Sequence, residues 1–214
     1  MIFIFGEKIR TRSESVGDKP CAVCQSTRAF TEQHESLWFC LFGLPIAPIE
    51  KTAAYWRCEH CLTAYHCNDS SQPSHITVLK QLIVYLLMGY HQEDHPAVAS
   101  EICLKISGFE ISETEFRQIM AGIARGDMEM VEAVRHLAPV VNAVGKQQVL
   151  EAAFLTTYIC CDLEYEDRLR INLIGNALGV GLEFVEYAIS QTRKQNYYGV
   201  RRLRFATAGV RQDF

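Results

Sequence analysis

The sequence contains none of the short motifs by which several enzyme classes are recognised. It has no glycine-rich phosphate-binding loop, no G-x-S-x-G nucleophile motif and no H-E-x-x-H metalloprotease motif. Its seven histidines form no arrangement with Ser and Asp that indicates nucleophilic catalysis. We therefore expect a protein that is not an enzyme.

The sequence also lacks an export signal and a membrane-spanning run. It begins MIFIFGEKIR, where no basic segment precedes the apolar run and that run stops after five residues. The longest apolar stretch, residues 37–49, is too short to cross a bilayer and contains two prolines. These absences predict a cytoplasmic protein with no transmembrane segment, in which persistent disulfides are not expected.

Nine cysteines are more than an ordinary cytosolic chain carries, and four of them form two C-x2-C pairs, Cys21 with Cys24 and Cys58 with Cys61. Two thiolates at this spacing can bind one Zn²⁺, and two such pairs complete a tetrahedron of sulfur ligands. A β module of under about 70 residues has too small a core to be stable alone, and a metal compensates for that. Because four sulfur ligands leave no open coordination position, the spacing predicts one structural zinc per chain.

Other interpretations of the cysteines stay open. Two unrelated pairs of core cysteines would need no metal, whereas a thioredoxin-like redox pair would open a helix after a strand. His60 and His66 lie near the second pair as further candidate ligands, and Cys67 could replace Cys61. We expect Cys40, within LWFCLF, to be a buried apolar residue.

Two regions of the chain differ in pattern. Residues 1–67 contain aromatic and apolar runs broken by Gly, Pro and Cys, which is typical of short β-strands and turns. Residues 68–74 have the composition of a polar linker. From residue 75 to residue 195 the pattern is helical, with about seven segments, and residues 196–214 form a basic tail. We therefore expect a small β module followed by an all-α domain.

The helical region repeats itself at a spacing of 71 residues. With that shift, Gly108 falls on Gly179, and the loop HQEDH (91–95) falls on DLEYE (162–166). Each half then consists of a long buried helix, a short acidic loop and two further helices. This register predicts two three-helix repeats related by a pseudo-two-fold axis, with one connecting helix.

The β region resembles the small bacterial zinc-ribbon family. The likeness is carried by MIFIFG, CAVC, LWFCLFGLPIAPIEKTAAYW and CEHC, and it covers about residues 1–67. Gln25 and Leu62 stand where the family often has a glycine that turns the chain. The resemblance implies four zinc ligands, which are Cys21, Cys24, Cys58 and Cys61.

The helical region resembles the TerB-like tellurite-resistance family. The likeness is carried by residues 149–189, VLEAAFLTTYICCDLEYEDRLRINLIGNALGVGLEFVEYAI, and extends over about residues 75–195. It implies a seven-helix domain linked to tellurite and other chemical-stress responses, whose acidic loops have been suspected of binding metal. Asp162 matches the loop aspartate of the family, Leu163 replaces its glycine, and His91 lies at the equivalent place in the first repeat.

The two repeated loops could together form a second metal site, because mixed His and carboxylate ligands suit Mn, Fe or Zn. Its candidate ligands are His91, Glu93, His95, Asp162, Glu164 and Glu166. The alternative is that the loops are solvated and lie near helix N-termini, where negative charge is favourable.

Charge is unevenly distributed along a chain whose net charge is −4. Residues 1–70 carry a formal −1 and residues 193–214 a formal +5. Because the tail interleaves arginine with Tyr and Phe, Arg201, Arg202 and Arg204 are candidates for contact with nucleic acid or a partner. Nucleic-acid binding is the less favoured interpretation, since the β module has no net basic charge.

Together these patterns predict a non-catalytic, zinc-binding adaptor that acts in a stress response through an unknown protein partner. One alternative is a metal- or redox-responsive protein that uses the acidic loops at 91–95 and 162–166. The other is a nucleic-acid-binding protein that uses the basic tail.

Overall fold

A computed structural model describes residues 5–68, 70–126 and 129–194. The described part of the chain contains four β-strands, seven α-helices and one short 3₁₀ helix. The predicted combination of a β region and seven helices is confirmed at this level.

The chain divides into two compact units. The first comprises Met1–His75 and Leu137–Gly145, and the second comprises Ile76–His136 and Lys146–Phe214. The first unit therefore combines the β region with a short segment from the middle of the sequence, residues 137–145.

Hydrogen bonds hold that short segment within the first unit. The buried Ser74 hydroxyl donates to the main-chain oxygen of Val140 at 2.9 Å, and lies 3.3 Å from the oxygen of Ala64. The side-chain amide of Asn142 donates to the main-chain oxygen of Leu62. These bonds join the segment to residues 62–74.

The first unit is built on an antiparallel sheet whose four strands lie in chain order, each beside the next. The strands are β1 (Phe5–Cys21), β2 (Ser26–Leu41), β3 (Leu44–Cys58) and β4 (Ala64–Tyr65). β4 pairs with β3 at Trp56 and Arg57, so the rest of β3 forms an edge among the described strands.

Three of the strands are longer than the short runs predicted from sequence, at 17, 16 and 15 residues for β1 to β3. Gly17, Pro45 and Pro48 lie within strands and do not end them. Gly17 has φ +82° and follows a bulge between Ser15 and Gly17, and Pro45 and Pro48 lie on the edge portion of β3, where a missing amide is tolerated. The central strand β2 contains neither residue type.

The core of the sheet lies at one end only. It consists of Cys21, Phe30, Trp56, Cys58 and Tyr65. At the opposite end, among residues 6–12, 35–41 and 44–54, the one buried hydrophobic side chain is Cys40, which is buried as predicted. Half of the sheet therefore projects without a covering layer.

The seven helices lie mainly in the second unit. They are α1 (Ser74–Gly89), α2 (Pro96–Ser107), α3 (Glu113–Ala124), α4 (Met130–Leu137), α5 (Ala143–Cys160), α6 (Tyr165–Ala177) and α7 (Leu182–Lys194), and the 3₁₀ helix Ala138–Val140 follows α4. Among the described residues, none of these helices combines the length and apolarity needed to cross a bilayer.

Two of the helices are largely buried, although Thr77 and Tyr85 of α1 are exposed. In α1 the consecutive residues Leu82, Ile83 and Val84 are all inaccessible to solvent, as its apolar sequence predicts. In α5 residues 152–155 are equally buried. These two helices form the centre of the second unit.

One ion pair, between Lys80 and Glu115, lies partly within this core. Ser112 caps α3 by accepting the amide of Glu115 at 3.1 Å. The Glu115 carboxylate accepts hydrogen bonds from the Lys80 ammonium at 2.9 and 3.0 Å. The Lys80 side chain is only 8% exposed, whereas that of Glu115 is 38% exposed.

The two partners should therefore differ in their sensitivity to substitution. Glu115→Ala leaves a buried ammonium without its carboxylate, and we expect a loss of about 1–3 kcal/mol, less than for a fully buried pair. Lys80→Met removes the buried charge and keeps the apolar stem, so it should be nearly neutral. Urea unfolding of both variants measures the difference, and an equal loss in the two would contradict it.

Candidate metal centre

Both C-x2-C pairs lie in turns at the same end of the sheet. Cys21 is the last residue of β1 and Cys58 the last residue of β3. Each is held by pairing with the central strand, Cys21 opposite Ser26 and Cys58 opposite Phe30. The antiparallel register thus brings the two turns, which are distant in sequence, close together at one end of the sheet.

The four sulfur atoms of Cys21, Cys24, Cys58 and Cys61 all lie within 4.8 Å of one another. Sγ of Cys21 is 3.6 Å from Sγ of Cys61, and Sγ of Cys24 is 4.0 Å from Sγ of Cys58. A tetrahedral zinc with bonds of about 2.3 Å places its sulfur ligands roughly 3.8 Å apart. The two separations fall on either side of that value, so the donor set and its spacing fit a four-coordinate metal ion.

The turns adopt the backbone that a glycine would normally supply. Gln25 has φ +50° and Leu62 has φ +60°, in the left-handed region that non-glycine residues avoid. These are the positions at which the sequence departs from the zinc-ribbon pattern. The turn geometry is therefore kept at the cost of some local strain.

The protonation of the thiols is set by their surroundings. Burial would raise the pKa of Cys21, but hydrogen bonds from Tyr65 and from the amide of Cys24 outweigh it and lower the pKa to about 7. Burial and the neighbouring thiols Cys61 and Cys21 raise the pKa of Cys24 to about 12, and burial raises that of Cys58. A metal ion that binds here must therefore displace protons, because only thiolates are ligands.

Tyr65 packs beside the cysteine cluster. It is not among the residues predicted from sequence. Its side chain is fully buried, its hydroxyl lies 3.1 Å from Sγ of Cys21, and its ring packs 5.4 Å from that of Phe30. Burial, and then the hydrogen bond with Cys21, raise the pKa of the Tyr65 phenol, so the phenol keeps its proton beside the sulfur. Only the pairing of β4 with β3 places this residue beside the thiols.

The other candidate ligands lie outside the four-sulfur cluster. Nδ1 of His60 lies 3.5 Å from Sγ of Cys24, on the exposed side of the site. Sγ of Cys67 lies 3.8 Å from Glu32 Oε1, so Cys67 does not replace Cys61 in the cluster.

The acidic loops are not gathered into a comparable site. In the three ranges that the structure describes, the four-cysteine cluster is the one group of three or more His, Cys, Asp or Glu side chains close enough to share a metal ion. His91 and His95 of the first loop are exposed, as are all three carboxylates of the second, Asp162, Glu164 and Glu166. Glu93 is partly buried.

A different carboxylate joins the two loops. Asp167, which is 5% exposed, accepts the Tyr90 hydroxyl at 2.6 Å, the Cys161 thiol at 3.4 Å and the amide of Glu164 at 3.0 Å. Arg170 donates to the Tyr90 hydroxyl at 2.7 Å. Sequence analysis missed this network, because Asp167 looks like an ordinary residue of the first turn of a helix.

Hydrogen bonding decides the charge of this aspartate. Burial would raise the pKa of Asp167, but the donors Tyr90, Glu164 and Cys161, together with the charge of Arg170, outweigh it and lower the pKa. The pKa of Tyr90 is raised, chiefly by burial and then by the bond to Asp167. The network is therefore a stable carboxylate surrounded by donors.

The predicted contacts of the basic tail, Arg201, Arg202 and Arg204, lie outside the described residues. Comparisons with known protein families, with curated proteins and with solved structures found no match for this chain.

The strained turn at Leu62 gives a direct test of the site's backbone. Because Leu62 is half exposed and has φ +60°, Leu62→Gly should be neutral or stabilising, while the β-branched Leu62→Val should lose about 1–2 kcal/mol. Thermal unfolding of the metal-loaded variants provides the comparison. Equal stability of the two would mean that the turn carries no strain.

The Asp167 network predicts a defined dependence on pH. A group whose pKa is lowered by folding stabilises the protein above its unfolded pKa and loses that contribution as the pH falls below about 4. Asp167→Asn should therefore cost about 1–3 kcal/mol at pH 7, and the difference from the unmodified chain should shrink below pH 4. Urea unfolding from pH 7 to pH 3 measures this, with the exposed neighbour Glu166→Gln as control. A difference that stays constant over this range would contradict the assignment.

Proposed function

We propose that the chain is a non-catalytic, zinc-binding interaction protein, in which a zinc ribbon is joined to a TerB-like helical domain. The observation that supports it best is the four-sulfur cluster with Sγ–Sγ distances of 3.6 and 4.0 Å. One Zn²⁺ bound by Cys21, Cys24, Cys58 and Cys61 would have a closed coordination sphere and could not bind a substrate. Its role is to hold together a sheet whose core is confined to that end.

The helix boundaries support the two-repeat interpretation of the second unit. With the shift of 71 residues, the end of α1 at Gly89 coincides with the end of α5 at Cys160. Gly108 and Gly179 also coincide, and they share the left-handed backbone, with φ +77° and φ +67°. Helix ends at equivalent positions, together with equivalent left-handed glycines after α2 and α6, are what a duplicated three-helix unit predicts.

The proposed link to tellurite and chemical stress rests on the TerB-like resemblance alone. The metal- or redox-responsive alternative is less favoured, because the described loops form no cluster of three ligands. The buried Asp167 network gives these loops a structural role instead.

Metal analysis tests the ribbon directly. We expect one zinc per chain, released when a mercurial reagent modifies the thiols and absent from Cys58→Ser. Cys67→Ser is the matched control, because Cys67 packs beside the site but lies outside the cluster, and it should keep its zinc. Retention of a full equivalent of zinc by Cys58→Ser would refute the site.

The same measurement separates the two functional alternatives. The double variant Glu93→Ala, Asp162→Ala should leave the metal content unchanged if the protein is an adaptor. Loss of a second, carboxylate-bound metal from this variant would favour the metal-responsive alternative instead.

A further inference from the structure

The end of the sheet opposite the cysteines exposes a continuous apolar surface. We define the hairpin tip as residues 37–49, which comprise the end of β2, the turn at Phe42 and Gly43, and the start of β3. Its most exposed large side chains are Phe42 (59%), Leu44 (66%), Ile46 (58%) and Ile49 (52%). Such a surface is unusual on a protein that remains free in water.

The apolar side chains lie on both faces of the hairpin tip. Residues directly opposite each other in a ladder share a face, and residues two apart on one strand do so as well. Phe39 and Leu41 are two apart on β2 and Leu41 is paired with Leu44, so these three lie on one face. Trp38 and Pro48, which are paired, lie on the other face. A protein laid against one face would leave the second in water, whereas the interface of a lipid bilayer surrounds both.

The strand register sorts the charges next to the tip by sign. In residues 6–12, 35–41 and 44–51, every basic side chain shares the face of Trp38, and we call this the basic face. Its residues are Lys8, Arg10, Arg12 and Lys51. The acidic side chains of the same ranges, Glu7, Glu35 and Glu50, share the opposite face. This half of the sheet is therefore polarised although residues 1–70 carry a formal charge of only −1, and at the border of the basic face Arg12 is also ion-paired with Glu14 at 3.1 Å.

A side-chain contact agrees with this sorting. The Arg10 guanidinium carbon lies 5.3 Å from the centre of the Trp38 ring, which places both on the same face. Trp38 thus lies beside Lys8 and Arg10, at the level of the sheet where the cations begin. Tryptophan favours this position at membrane interfaces, where its ring meets the acyl boundary and cations meet the headgroups.

The dimensions agree as well. On β1 the first charged residues are Glu7 and Lys8, which pair with Phe39 and Trp38. About three residues of strand separate this level from the turn, and at about 3.3 Å per residue the uncharged part of the tip is roughly 10 Å deep. Interfacial elements are buried about 5–10 Å into the boundary between headgroups and acyl chains.

We propose that the hairpin tip inserts into the interface of a lipid bilayer and that the basic face binds anionic headgroups. This inference goes beyond the proposed zinc-binding adaptor function and assigns the protein a peripheral membrane-binding surface. Single-stranded nucleic acid would use the basic face and Trp38 but would leave the apolar turn in water. A bilayer accounts for both features together.

Vesicle co-sedimentation of the full, zinc-loaded chain tests the proposal. We expect binding to phosphatidylcholine vesicles that contain about 30% phosphatidylserine, and much weaker binding to pure phosphatidylcholine. The tip variant Phe42→Ser, Leu44→Ser, Ile46→Ser should reduce the partition coefficient at least about tenfold. These side chains are exposed, so zinc content and circular dichroism should show that the variant is folded.

Matched controls separate the membrane surface from general stickiness. Leu169→Ser, Leu173→Ser, Leu182→Ser removes three similarly exposed side chains of the second unit and should leave vesicle binding unchanged. Lys8→Gln, Arg10→Gln, Arg12→Gln should weaken binding to the anionic vesicles roughly a hundredfold. The same number of substitutions at Lys105, Arg117 and Arg135 should have little effect.

Three results would overturn the proposal. The first is that the folded, zinc-loaded chain binds neither kind of vesicle. The second is that the tip variant binds anionic vesicles as well as the unmodified chain. The third is that a single-stranded oligonucleotide binds through the basic face, independently of the tip, and more tightly than the vesicles do; the surface would then be a nucleic-acid site.

Discussion

The meeting of four sulfur atoms at one end of the sheet is the constraint on which the first unit depends. β1 and β3 lie on either side of β2, and the turns that follow them carry the two cysteine pairs. The few buried apolar side chains of the sheet surround this point. A core of that size stabilises a small module poorly by itself, and a metal ion bound between the two turns would support the strands that extend away from it.

The main elements could be predicted from sequence because their signals are local. The C-x2-C spacing identified the four cysteines that come together, and helical periodicity identified the seven helices. Strand length could not be predicted, because a bulge beside Gly17 and the edge position of Pro45 and Pro48 allow strands to continue through residues that usually end them. Whether a proline lies on an edge depends on the arrangement of the whole sheet.

The features that sequence analysis missed depend on long-range pairing. Tyr65 reaches Cys21 only through the two-residue strand β4, and Tyr90 reaches Asp167 across 77 positions of sequence. The polarity of the sheet is a further case, since Lys8, Arg10 and Arg12 lie on one face and Glu7, Glu35 and Glu50 on the other, while their charges largely cancel in a count along the chain. No composition or periodicity reports which residues will share a face until the register of the strands is known.

The irregular edge of β3 has a consequence for association between chains. Its register against β2 shifts three times, which makes Ile46, Ile49 and Thr52 the extra residues of the strand. Two prolines in the same stretch offer no amide hydrogen. A regular apolar edge would be a template for strands from other chains and hence for fibril growth. The bulges and prolines interrupt that template, so this hairpin can display its apolar side chains without extending its sheet into a neighbouring molecule.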